Sequence, residues 1–159
     1  MATTKRYNPE VPATSFMPQA YHILDSPKIA AILLTAAQLI AMGTTPVSIL
    51  PAPGVGKAIL VDSITFEMVR TATPFTGGGA INFQYHTTTT SAPVTGTVPA
   101  AALTTAGAAT TLTLLGDQSS ATGTTIPSNE GIDITNTGGA FAAGTGTAKV
   151  FIRYRVITL

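Results

Sequence analysis

Two histidines and seven carboxylates make up the acid–base inventory of this 159-residue chain, which has no cysteine. A serine nucleophile needs an imidazole to take its proton and a carboxylate to hold the ring. Asp62, His86 and one of several serines supply the types. No serine stands in a G-x-S-x-G elbow, however, and no spacing ties the three together. His22 lies in a proline-rich leader, and His86 closes an alternating stretch beside Thr87-Thr88-Thr89-Thr90. A histidine at a strand end reads as a hydrogen-bonded surface group. Two distant histidines without cysteine do not make a zinc site. Asp117, Glu130 and Asp133 are the carboxylates of the second half. Calcium needs a dense run of oxygen ligands, and none surrounds Asp117. Asp133 alternates within an apolar stretch, which predicts a solvated or turn-capping role. These readings predict no enzyme, no metal and no cofactor.

Pro53-Gly54-Val55-Gly56-Lys57-Ala58 has the outline of a phosphate-binding loop. Pro51 stands where the first glycine belongs, and Ala58 replaces the hydroxyl residue that would bind a metal ion. A strand pattern follows, not a helix whose N-terminus would face the phosphate. Lys149, Arg153 and Arg155 share one face of the last strand. They read either as a solvated outer face that discourages edge pairing or as partners for an acidic patch on another subunit.

The elements around these residues are strands. Val47-Ser48-Ile49-Leu50 is short and β-branched, residues 51–56 turn on two prolines and two glycines, and a long strand starts at Lys57. This predicts a tight hairpin. In the long strand Ile59 and Val61, then Ile64, Phe66 and Met68, are the apolar sets. The alternation slips near Asp62-Ser63, as a bulge would make it do. Ile81, Phe83 and Tyr85 share a face, as do Ile132 and Ile134, and then Val150, Ile152, Tyr154 and Val156. Residues 110–115 and the short stretch 124–126 read as further strands, the second of them an edge stopped by Pro127. The glycine-rich segment 137–146 reads as a hairpin connection. Residues 28–34 fit a strand or a helix start. Thr35 and Gln38 form a capping box for a helix over 36–42, ended by Gly43. Pro99 starts one further helical turn. Seven or eight strands at this spacing predict an all-β fold: a single β-sandwich of jelly-roll type over residues 28–159, with a short helix at about 35–42.

Residues 1–27 carry prolines at 9, 12, 18 and 27 and no sustained period, so they predict an extended arm and not a helix or central strand. Tyr7, Val11, Phe16, Met17, Tyr21, Ile23 and Leu24 make it too apolar for a solvated tail. Those seven residues are the predicted partner contacts; packing on the arm's own domain is the alternative. Charged residues are 9% of the chain, against roughly 25% for a typical soluble domain. Residues 71–116 contain none. Such a surface suits burial against other protein. A net charge of +1 gives no electrostatic reason to expect nucleic acid. The apolar run 29–42 is shorter than the ~20 residues a bilayer span needs.

Four stretches carry a resemblance: Leu34-Thr35-Ala36-Ala37-Gln38-Leu39, Thr44-Thr45-Pro46-Val47, residues 51–57, and residues 150–157. Together they resemble a group of small structural proteins of tailed-bacteriophage virions. The resemblance covers roughly residues 33–70 and the last strand. It implies a capsid decoration or cement protein that bridges neighbouring capsid subunits on the virion surface after synthesis in the host bacterial cytoplasm. The implied partners are the major capsid protein and copies of itself, as a trimer first and a dimer second, with no nucleic acid and no membrane. The pattern carries no catalytic or ligand motif, so no residue role comes with it. A fibre, spike or tail adsorption module is the alternative, although its loops would be expected to present aromatics.

Overall fold

The structure, a computed structural model, describes residues 26–71, 73–86, 94–107, 110–115 and 126–159. The seven arm residues predicted as contacts, and Thr124-Thr125 of the predicted edge strand, lie outside the described residues. Ile126 is half-buried and takes no strand structure.

The ambiguous stretch is a strand, β1 (Lys28–Leu34). At Thr35 the chain is still extended, and the helix α1 (Ala36–Ala41) starts there. The capping box forms: Gln38 N–H donates to Thr35 Oγ1 at 3.3 Å, and Thr35 N–H donates to Gln38 Oε1 at 3.0 Å. Those bonds satisfy donors that the first helical turn would otherwise leave unpaired. Leu39 and Met42 enter the core. Gly43 then passes so close to another segment that a Cβ there would lie 2.3 Å from the Gly139 carbonyl oxygen.

Next come β2 (Val47–Leu50) and the long β3 (Lys57–Val69). The two-residue β4 (Thr76–Gly77) and then β5 (Ile81–Tyr85) follow. The single-turn α2 (Ala101–Thr104) leads to β6 (Thr110–Leu115) and β7 (Ile132–Asn136). The chain closes with the two-residue β8 (Phe141–Ala142) and β9 (Thr147–Thr158). All sheets are antiparallel. Sheet A has the order β1-β9-β3-β6, sheet B the order β2-β7-β5, and β4 pairs with β8 alone. Residues 94–98 run beside β5 without forming a full strand: Val94 N–H donates to the Phe83 carbonyl at 2.9 Å and Val98 N–H to the Ile81 carbonyl at 3.0 Å.

The register of β3 on β9 shifts between Val61 and Ser63, where the alternation slips. The shift lets Ile59 and Val61 on one side, and Ile64, Phe66 and Met68 on the other, all point inward and be buried. Without it a period-two strand would turn one set to solvent. Buried side chains of both sheets, α1 and Phe75, Val94, Val98 and Leu103 form one apolar cluster. Tyr85 Oη donates to the Ile59 carbonyl at 2.6 Å, tying sheet B to sheet A inside that core. Phe75 and Phe141 meet edge to face, with centroids 6.3 Å apart.

Two expected hairpins are not hairpins. β2 pairs with β7 and β3 pairs with β9 and β6, so residues 51–56 carry the chain from sheet B to sheet A. The turn chemistry is nonetheless real: Gly54 and Gly56 have φ of 103° and 72°, values that favour glycine. The turn bonds outward, with Gly54 N–H donating to Asn129 Oδ1 at 3.0 Å. Likewise β7 lies in sheet B and β9 in sheet A, so residues 137–146 cross between sheets, pairing with β4 on the way. The last strand is not an edge either. β9 lies between β1 and β3, so its arginines do not serve to discourage edge pairing.

Candidate functional site: a histidine–aspartate cavity and an uncovered sheet face

Sheet B carries the titratable pair. His86 follows β5 and continues its ladder, donating its N–H to the Gly131 carbonyl at 3.0 Å. In the same ladder Gln84 stands opposite Asp133, and Asp133 is the register partner of Ser48 on β2. Residues two apart on a strand share a face, so the His86 ring reaches Asp133 diagonally, and its Nδ1 bonds Asp133 Oδ2. The expectation of a solvated Asp133 is overturned. Its side chain is 3% exposed, while that of His86 is 69% exposed. The carboxylate is covered by its own sheet and by one imidazole that stands in water. The hydrogen bond to Asp133 first, then its charge, raises the His86 pKa from its ordinary 6.5; Glu130 adds in the same direction. The other oxygen, Asp133 Oδ1, is buried without a hydrogen-bond partner among the described residues.

Beside the ring lies an open cavity of about 410 Å³, walled by Leu50, Pro51 and Ala52 and fringed by Ser48, Asn129, Glu130 and Gly131. A carboxylate-held imidazole is a competent base for a hydroxyl bonded to its other nitrogen. Among the described residues no hydrogen bond joins Ser48 to His86. Asp62, the carboxylate first considered for such a triad, is in sheet A and engaged elsewhere. Arg155 donates to Asp62 Oδ1 from Nε at 3.1 Å and from Nη2 at 2.6 Å, with Arg153 Nε 3.8 Å from Oδ2. This intrachain bond stands where a partner's acidic patch was one of the two readings for Arg155. Asp62 sits at the register shift, where the extra residue turns its side chain toward β9.

The other candidate is the outer face of sheet A. Register sets three rows across it: Ile29, Arg153, Ser63; Ala31, Phe151, Thr65; and Leu33, Lys149, Glu67. Ile29 is 75% exposed, Leu33 60% and Phe151 37%. β1 therefore shows apolar side chains outward, while Ala30, Ile32 and Leu34 face the core. Sequence reasoning missed this face. A signal was present, since the strand KIAAILL is apolar at both parities, a pattern of strands covered on both sides.

Among the described residues no group of three or more His, Asp or Glu is placed to hold a metal ion. None of their helices is long and apolar enough to cross a membrane. Comparison with family models, curated proteins and solved structures finds no match to this chain.

Proposed function

We propose that this protein is a structural component of a tailed-phage virion, a capsid decoration or cement protein that bridges neighbouring capsid subunits. The observation that carries the reading is the uncovered apolar side chains of Ile29, Leu33 and Phe151 on the outer face of sheet A, on a molecule with so few charges. Exposed apolar patches mark interaction surfaces. A cement protein works by adding buried interface across seams between subunits, and burying unpaired charge is costly. The charges on this face are matched in sign, with Glu67 opposite Lys149 and Arg153 3.8 Å from Asp62, so covering it leaves little charge without a counterpart. The apolar arm adds contact area and raises local concentration at the shell. The partners are the major capsid protein and further copies of this chain, in a trimer before a dimer.

The fold reading that accompanies this function is a two-sheet jelly roll. Its support is that successive long strands alternate between sheets: β1, β3, β6 and β9 in sheet A, β2, β5 and β7 in sheet B. Residues 94–98 lie where a fourth strand of sheet B would stand, beside β5. Folds of this type recur in viral capsids and also in lectins, so the site and not the fold carries the function.

A tail or fibre adsorption module is the second reading, and the cavity beside His86 is the observation that favours it. Copy number separates the two. A count in purified particles that scales with the major capsid protein supports decoration; one or a few oligomers per particle supports the tail. Aspartate at Ile29 and Leu33 is expected to lower occupancy of the shell and the heat resistance of particles. If occupancy and heat resistance are both unchanged, the decoration reading fails.

A further inference from the structure

We infer that the outer edge of β1 receives residues 19–25 of a second copy of this chain as an added strand. The inference deepens the reading of the arm as intermolecular and names the surface it meets. β1 pairs with β9 through seven consecutive partners without a register shift, and no described strand lies on its other side. Edge strands are usually blunted by proline, bulges, charge or shortness. β1 has no proline and no bulge, and its single charge, Lys28, stands at its first position. It is apolar outward at Ile29 and Leu33 and half-buried inward at Ala30 and Ile32, at the open margin of the core. A strand laid along this edge would cover both pairs, provided it is itself apolar on both sides.

The arm contains one such stretch. Between Pro18 and Pro27 the sequence QAYHILD runs seven residues, from 19 to 25, without proline, the length of β1. Tyr21 and Ile23 fall at one parity, Ala20 and Leu24 at the other. Other proline-free stretches of the arm are polar, as in residues 1–8, or shorter, as in residues 13–17. Strand addition of this kind takes its affinity from backbone hydrogen bonds and its selectivity from alternate side chains.

The donor is a neighbour because of the link Ser26-Pro27. Folding 19–25 back onto its own β1 would need a hairpin with a two-residue loop. The favoured loops require φ > 0 at the first position, or at both. Proline holds its own φ near −65° and pushes the residue before it to extended conformations. Ser26 and Pro27 accordingly take no turn structure. This link therefore does not supply the two-residue hairpin that pairing within one chain would need. Each copy then gives one arm and offers one edge. Such a head-to-tail contact gives a ring when the rotation between copies closes, as in a threefold assembly, and an open filament when it does not.

The test uses the purified full-length protein alone, with no particle present. Sedimentation is expected to show an oligomer for the full chain and for Ile23→Val. Monomers are expected after deletion of residues 1–25 and for Ile23→Pro, with unchanged circular dichroism of the folded domain. The chain has no cysteine, so Ala20→Cys in one isotopically labelled copy and Ala31→Cys in another can be joined by a short bis-maleimide. Cross-links between labelled and unlabelled copies are expected. A monomeric full-length chain, an oligomer indifferent to arm deletion, or cross-links confined to one chain in the doubly substituted protein would overturn the inference. An arm-dependent oligomer that is absent from particles would leave it standing and remove the virion reading instead.

Discussion

His86 and Asp133 bind one another from opposite environments, water for the imidazole and the sheet for the carboxylate. Asp133 raises the folded-state pKa of His86 above 6.5, its ordinary value and that of the unfolded chain. A raised pKa means that the folded state holds the proton more tightly than the unfolded one. The resulting stabilisation is fully present below about 6.5 and is lost as pH rises through the folded-state value. Thermal midpoints measured from pH 5.5 to 8.5 are expected to fall across that window for the native chain and to be flatter for His86→Gln. Superimposable profiles would show that the pair contributes nothing to folding. Within the core, Tyr85→Phe removes the donor to the Ile59 carbonyl that bridges the two sheets. Loss of about 1–3 kcal/mol is expected from denaturant midpoints, the cost of a buried group left unpaired. A change under roughly 0.5 kcal/mol would mean that another donor reaches that carbonyl.

At the scale of elements, the start of α1 is legible because its signals are local: Thr35 and Gln38 lie within one turn and form the cap. Gly43 does not take the positive φ of the helix-ending glycine its position suggests; its role is one that no local pattern announces. Its missing side chain lets the helix exit pass the backbone of Gly139 and Ala140. Gly43→Ala is therefore expected to cost about 1–3 kcal/mol, as overpacking against unyielding backbone does. The check is the urea midpoint; one within error of the native chain would mean that residues 137–146 move aside freely. The bulge in β3 was legible for the same reason as the cap, since a slipped alternation is written along one strand. Strand partners are not written there. Val47–Leu50 and Lys57–Val69 are neighbours in sequence yet belong to different sheets, because β7 and β9, far along the chain, offer the edges they bind.

Over the whole molecule, one cluster of buried side chains includes residues of both sheets and both helices. Its members can be lost only together, so residues 28–159 are expected to unfold in a single transition. Far-ultraviolet circular dichroism and tyrosine fluorescence should trace coincident curves, with and without residues 1–25. Separate midpoints for the two probes would show that the sheets are independent units. The low charge of the chain bears on the same scale. With little charge to repel other protein, the uncovered Ile29, Leu33 and Phe151 of sheet A favour association.

Alternation, turn residues and caps were enough to determine an all-β chain, the positions of its main strands and α1, and the inward sets of β3, β5 and β9. Each of these depends on residues within a turn or two of one another. Asp133 read as solvated because polar alternation reports only which face a side chain takes. Whether that face is covered depended on His86, 47 residues away in sequence. The exposure of Ile29 and Leu33 was hidden in the same manner, since an apolar strand looks alike whether its own sheets or another molecule covers it. Which strands pair, which carboxylate is buried and which face stands open are matters of contact between distant segments. Those contacts exist only once the chain has closed on its core, and tertiary structure alone decided them.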